Sequence, residues 1–198
     1  MTIPYVIEAG KNGNDKVYDL YSRLLKDRII FITGAFEDVM ANSVVAQLLF
    51  LNAQNDNDIY IYINSPGGNI SSMFAIYDTM CYVTPEINTI GIGSVASAGS
   101  FILAAGTKGK RSCLANTEIM IHEFSAGIEG KAHDLFYTMD RYKRLYDKMA
   151  GQYVEFTGQD LNKIQEDMKK DFWLSPDEAV EYGLIDKVVK RLPDKKRN

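Results

Sequence analysis

The stretch Gly91-Ile92-Gly93-Ser94-Val95-Ala96-Ser97-Ala98-Gly99-Ser100 reads as a strand passing through a tight turn into a helix. A strand-like run, Ile87, Thr89 and Ile90 ahead of Gly91-Ile92-Gly93, ends just before Ser97, and the apolar Phe101-Ile102-Leu103-Ala104-Ala105 follows it. Small residues crowd both sides of the serine. A hydroxyl at such a turn sits in the positive end of the helix dipole, and small neighbours let a substrate backbone reach it. Ser97 is therefore the candidate nucleophile. Close packing of a helix start explains the same small residues without chemistry, so the partners decide.

Two histidines are available. His122 ends the apolar run Ile119-Met120-Ile121, and a strand terminus suits a base, because the ladder fixes the backbone while the ring projects beyond the last pair. His133, in Gly130-Lys131-Ala132-His133-Asp134, opens a long helical pattern among charges and reads as solvated. A third member must be a carboxylate that orients the imidazole and stabilises its charged form. Asp171 follows a helix-like segment, Thr157 to Lys170, and precedes Phe172-Trp173-Leu174, which holds the only Trp. Bulky neighbours there are expected to shield an ion pair from water. Composition alone does not choose Asp171 over Asp167 or Asp177.

The 198 residues are most simply one domain with a sizeable core. A net charge of −4 with scattered basic residues provides no stripe for a nucleic-acid backbone. Cys81 and Cys113 lack metal-ligand spacing and sit in apolar runs, which reads as buried thiols in a reducing compartment. No metal or cofactor is expected. Neither a signal peptide nor a membrane span is evident, and the expected location is cytoplasmic.

Strand and helix patterns alternate. Arg28 to Thr33 reads as a strand, and Val39 to Leu51 as a helix burying Val44, Val45, Leu48, Leu49 and Leu51. Asp58 to Asn64 reads as a strand with Ile59, Ile61 and Ile63 on one side and Tyr60 and Tyr62 on the other, apolar on both faces like a sheet covered twice. The next helix sets Ile70, Met73, Phe74, Tyr77, Met80 and Cys81 on one stripe. Ser175-Pro176-Asp177-Glu178 is a capping box with Pro at the first helical position, and Gly183 is the stop. From Leu135, apolar positions at Met139, Tyr142, Tyr146, Met149, Tyr153 and Phe156 predict a helix of ~22 residues, ~33 Å long. Part of that stripe is expected to meet another subunit. The tail Arg191 to Asn198 is basic and proline-broken, and is expected to fray.

Five stretches together resemble the ClpP family, the proteolytic subunits of the Clp protease: Asp19 to Arg28, Ile63-Asn64-Ser65-Pro66-Gly67-Gly68, Ala96-Ser97-Ala98-Gly99, Met120-Ile121-His122 and Ser175 to Asp186. The resemblance covers nearly the whole chain in order. It implies an α/β fold of ClpP/crotonase type, a repeated ββα superhelix with a projecting handle helix over residues 123–156 and an N-terminal axial loop region over 1–18. It implies a serine endopeptidase core with the triad Ser97, His122 and Asp171 and an oxyanion hole from the backbone amides of Gly68 and Ala98. The implied assembly is two stacked seven-membered rings, a tetradecamer, either homo-oligomeric or mixed with a paralogue. The resemblance also implies a hexameric AAA+ unfoldase that feeds it unfolded protein and peptide substrates. The matching docking positions are Tyr60, Tyr62, Tyr82, Ile90 and Leu114, and Ala9 to Asp15 looks like a mobile loop at the axial pore.

Two departures from that pattern, at three positions, stand out. Glu123-Phe124 follows the histidine where Gln-Pro is common, and Ala98 follows the serine where Met is common. They bear on specificity and stand-alone activity rather than on the chemistry. Two alternatives stay open: a crotonase-type hydratase or isomerase, against which the Ser-His-Asp set argues, and a ring subunit that gates or scaffolds without cutting.

Overall fold

The computed structural model describes residues 3–9, 14–125, 127 and 129–190. The expected axial loop therefore lies partly, and the basic tail wholly, outside the described residues. In chain order the elements are β1 (Tyr5–Glu8), β2 (Lys16–Asp19), α1 (Leu20–Lys26), β3 (Ile29–Thr33), α2 (Asp38–Asn52), β4 (Ile59–Ser65), α3 (Ile70–Tyr82), β5 (Ile87–Ala96), α4 (Ala98–Ala104), β6 (Arg111–Leu114), β7 (Glu118–Ile121), α5 (Ala132–Thr157), α6 (Leu161–Asp167), β8 (Phe172–Leu174), α7 (Pro176–Tyr182) and β9 (Lys187–Val189).

β1 and β2 form an antiparallel ribbon, whose Glu8 pairs with Arg23 and Lys26 of α1. The main sheet runs β3-β4-β5-β6-β9, all parallel, with β7 parallel to β5 and β8 antiparallel to β7. β5 is the pivot. Its middle pairs with β6, Thr89 to Gly91 against Arg111 to Cys113, while its end pairs with β7, Ser94 to Ala96 against Glu118 to Met120. Between them Gly93 takes φ +65°, and the register against β4 slips between Ile63 and Ser65. A Cβ at Gly93 would lie 3.2 Å from Asn64 Oδ1. That oxygen accepts the Ser94 N–H at 3.3 Å. The irregularity bends the strand and re-aims its C-terminal end.

The core sits between one face of the sheet and the helices. Ile30, Ile32, Ile59, Ile61 and Ile63 meet Val44, Leu48 and Leu51 of α2, Met73 and Ile76 of α3, and Phe101 to Leu103 of α4. Phe101 is the hub, edge-on to Phe74, Tyr77, Tyr153 and Phe156 at centroid distances of 5.8, 5.4, 5.4 and 5.3 Å. Arg111, nearly buried, ties the helix ends down. It donates to Ala104 O and Phe156 O at 3.2 and 2.9 Å, and pairs with both carboxylate oxygens of Asp186.

Several sequence expectations need correction. Leu49 is 42% exposed, because the buried face of α2 follows Ala41, Val44, Leu48 and Leu51. Cys81 is exposed, one step past the face of α3 that buries Met73, Ile76 and Met80; Cys113 is buried. The tyrosine face of β4 is only half covered, since the helices pack on the isoleucine face. α5 starts earlier than the stripe predicts and runs 26 residues, about 39 Å. Its stripe divides: Met149 and Tyr153 are buried, while Met139 and the flanking Phe136 and Tyr137 stand exposed. α7 forms as expected, with the Ser175–Glu178 capping box, Pro176 at its start and Gly183 at φ +91° as its stop.

Candidate active site

Ser97 lies between β5 and α4 at φ +56° and ψ −120°, a conformation that non-glycine residues rarely adopt. Such a backbone costs about 1–3 kcal/mol and persists only where its surroundings hold it. They do so here. The Ser97 N–H donates to Met120 O at 2.9 Å, and Ser97 O accepts from the Phe101 N–H at 3.0 Å and from Ser100 Oγ at 2.7 Å. Every residue of α4 is buried, so the turn stands on a packed base.

The register of the sheet brings His122 and Asp171 together. β7 and β8 pair Ile119 with Leu174, Met120 with Trp173 and Ile121 with Phe172. One step further along the antiparallel ladder, His122 faces Asp171. Their side chains meet, His122 Nδ1 lying 2.9 Å from Asp171 Oδ1. A carboxylate accepts only, so Nδ1 carries the proton and Nε2 is left unprotonated in the neutral ring. On the other side, β5 pairs Ala96 with Met120, which puts Ser97 beside Ile121 and one residue from His122. No hydrogen bond joins Ser97 and His122 among the described residues.

The expected shielding of the ion pair is absent. The Asp171 side chain is 62% exposed and Trp173 is half exposed, because β8 is a three-residue edge strand and Asp171, just before its start, shares the open side of Trp173. The competing groups go elsewhere. Asp167 accepts from Tyr182 Oη at 2.8 Å and Lys163 Nζ at 2.6 Å, and Asp177 lies exposed in the first turn of α7. His133 is exposed at the start of α5.

The turn after β4 closes the site. Ser65 Oγ donates to Gly34 O at 2.5 Å and accepts the Gly67 N–H at 3.1 Å. Gly68 forms a parallel bridge with Phe36, in which Phe36 N–H reaches Gly67 O and Asn69 N–H reaches Phe36 O. The flanking residues thus make the bridge, and the amide of Gly68 points to the opposite edge. It donates to no protein acceptor among the described residues, and neither does the amide of Ala98. Gly67 packs against the serine: a Cβ built there lies 2.5 Å from Ser97 Cβ and 2.9 Å from Ser97 Oγ. Only glycine, at φ +96°, lets the turn approach that closely.

Sequence reading missed Ser65 and Phe36, which shape the turn, and Ser100, which braces Ser97. Besides near neighbours, each bonds a segment 20 or more residues away, Ser65 to Gly34, Phe36 to Gly67 and Asn69, Ser100 to Met120, and no local pattern marks those contacts. Of the expected docking residues, Tyr60, Tyr62, Ile90 and Leu114 share the face of the sheet opposite the isoleucines, with Tyr62 directly beside Ile90. Phe31 joins them, stacked on Tyr62 at 5.4 Å. Tyr82 lies apart, at the C-terminal end of α3, and is 78% exposed.

Among the described residues no three His, Cys, Asp or Glu side chains cluster as metal ligands, and no helix is long and apolar enough to cross a membrane. A family model described as Clp protease matches residues 11–192, and the mixed α/β architecture with its parallel sheet is consistent with that family's fold. The chain therefore belongs to the Clp protease family, a family of peptidases.

Proposed function

We propose that this chain is a serine endopeptidase subunit in which Ser97 is the nucleophile, His122 the general base and Asp171 the orienting acid. The observation that carries this reading is the 2.9 Å His122–Asp171 contact, made just past the end of β7, whose neighbour β5 ends one residue before Ser97. Ser97 Oγ attacks a peptide carbonyl while His122 Nε2 takes its proton. Asp171 keeps the other ring proton on Nδ1 and stabilises the imidazolium. The free amides of Gly68 and Ala98 donate to the developing oxyanion, each such donor supplying about 2.7–4 kcal/mol at the transition state. His122 then protonates the leaving amine, and water attacking the acyl-enzyme restores Ser97.

The oligomeric reading draws on the exposed half of α5. Phe136, Tyr137 and Met139 are large, apolar and uncovered on a helix of 26 residues, which suits a handle joining two stacked seven-membered rings. The half-open face with Tyr60, Tyr62, Ile90 and Leu114, together with Tyr82, is the surface to which a hexameric AAA+ unfoldase docks. Unfolded protein and peptides are the substrates, in the cytoplasm. The exposed thiol of Cys81 suits a reducing compartment.

A second reading, a subunit of low activity alone within a mixed ring, draws on the missing Ser97–His122 hydrogen bond. Free enzymes often close that bond only in the substrate complex. The deciding experiment measures peptide cleavage and labelling by a fluorophosphonate serine probe, on homogeneous rings and on rings mixed with a paralogue. Cleavage and labelling by homogeneous rings, both abolished by Ser97→Ala and cleavage alike by His122→Ala but not His133→Ala, support the first reading. Activity confined to mixed rings supports the second. Labelling that survives Ser97→Ala overturns both.

A further inference from the structure

The hydroxyl of Tyr153, deep under α5, has one hydrogen-bond partner among the described residues. Tyr153 is 1% exposed, and its Oη lies 3.3 Å from Ser100 Oγ. Ser100, equally buried, reaches two more oxygens: Ser97 O at 2.7 Å and Met120 O at 2.6 Å. A serine hydroxyl carries one proton, so while it donates to those carbonyls it can only accept from a third partner, and that partner must donate. Tyr153 is the group placed to do so. The chain of donation runs from Tyr153 Oη to Ser100 Oγ and on to the two carbonyls.

Both carbonyls belong to the machinery proposed above. Ser97 O is the backbone of the nucleophile, held at an unfavourable φ. Met120 O also accepts the Ser97 N–H, and Met120 lies two residues before His122 on β7. Ser100 thus clamps the strand end that delivers the base to the turn that delivers the nucleophile. Through Tyr153 the clamp is tied to α5, the helix whose far half is exposed.

We infer that Ser100 and Tyr153 are positioning residues that set the separation of Ser97 and His122. This rests on Ser97 being the nucleophile. The clamp touches neither substrate nor the reacting atoms, so it acts on turnover and nucleophile reactivity rather than on substrate affinity.

The test compares wild type, Ser100→Ala, Tyr153→Phe and the double variant as assembled rings. It reads kcat and KM for a short peptide, the rate of fluorophosphonate labelling and the thermal midpoint. Each single change should lower kcat and labelling about tenfold, the scale of one hydrogen bond, with KM unchanged. Ser100→Ala leaves a buried hydroxyl on Tyr153 without a partner and should lower the midpoint. The double variant removes that orphan and should recover midpoint but not kcat. Recovery of kcat in step with the midpoint would mean a purely structural role and overturn the inference. So would unchanged rates in all three variants while wild type labels normally at Ser97. Failure of wild type to label at Ser97 would instead remove the nucleophile reading, and this inference with it.

Discussion

Gly67→Ala tests the closeness of the turn and the serine. Two separate costs are expected. At φ +96° an L-residue is strained by about 1–2 kcal/mol wherever it sits. The added methyl also lands 2.5 Å from Ser97 Cβ and 3.0 Å from Ala96 O, and a backbone oxygen does not swing aside as a long side chain does. Overpacking of this kind costs about 1–3 kcal/mol more. Gly109→Ala is the matched control, since Gly109 has φ +87° with nothing within 4 Å of its would-be Cβ, and so carries the strain alone. Gly67→Ala should therefore be the less stable variant by about 1–3 kcal/mol in matched denaturant titrations. Displacing Ser97 should also slow peptide turnover by about 10², the cost of ångström-scale misplacement. Gly109→Ala should turn over near the wild-type rate. Equal stability of the two variants, or near-wild-type labelling of Gly67→Ala by a serine probe, would refute the close approach.

On the proposed roles, Asp171→Asn should lower kcat by about 10⁴-fold, as loss of the orienting carboxylate does in a serine protease triad, with KM little changed. A larger loss from Asp167→Asn or Asp177→Asn would move the acid elsewhere. For Asp186, burial alone would raise the carboxyl, but the Arg111 side chain and the backbone amides of Arg111 and Gly109 hold it below its ordinary value. A depressed folded pKa contributes stability that is present above the unfolded value of about 3.9 and lost as pH falls through the folded one. Asp186→Asn should thus cost about 3–5 kcal/mol near neutral pH by stranding buried Arg111, and the gap to wild type should close below about pH 4. A gap constant across thermal melts from neutral to acid pH would contradict this. Tyr62→Ala should weaken unfoldase-dependent degradation of folded proteins more than cleavage of short peptides, assayed on gel-filtered assemblies; parallel loss would show that its stacking on Phe31 is structural instead.

Local pattern was enough to read the alternation of strands and helices, the strand-to-helix turn at Ser97, the end of a strand at His122 and the cap and stop of α7. Each is a matter of neighbours within a few residues: period, small side chains, a capping box, a glycine at positive φ. The identity of the third side chain was not legible from local pattern, because it depends on a cross-strand pairing over 49 residues of separation. A slip of one residue between β7 and β8 would set Phe172 or Lys170 opposite His122, and the period of two would turn Asp171 to the other face. Exposure was hidden for the same reason. Leu49, Cys81 and Asp171 look buried by their apolar neighbours in sequence, and only the way α2, α3 and β8 meet the sheet leaves them open. The contact of Ser100 with Tyr153 spans 53 positions, and no run of residues announces it. What is periodic along the chain is written in the chain; which side chain faces which across the packed layers is decided by register and docking, where a single step changes every partner.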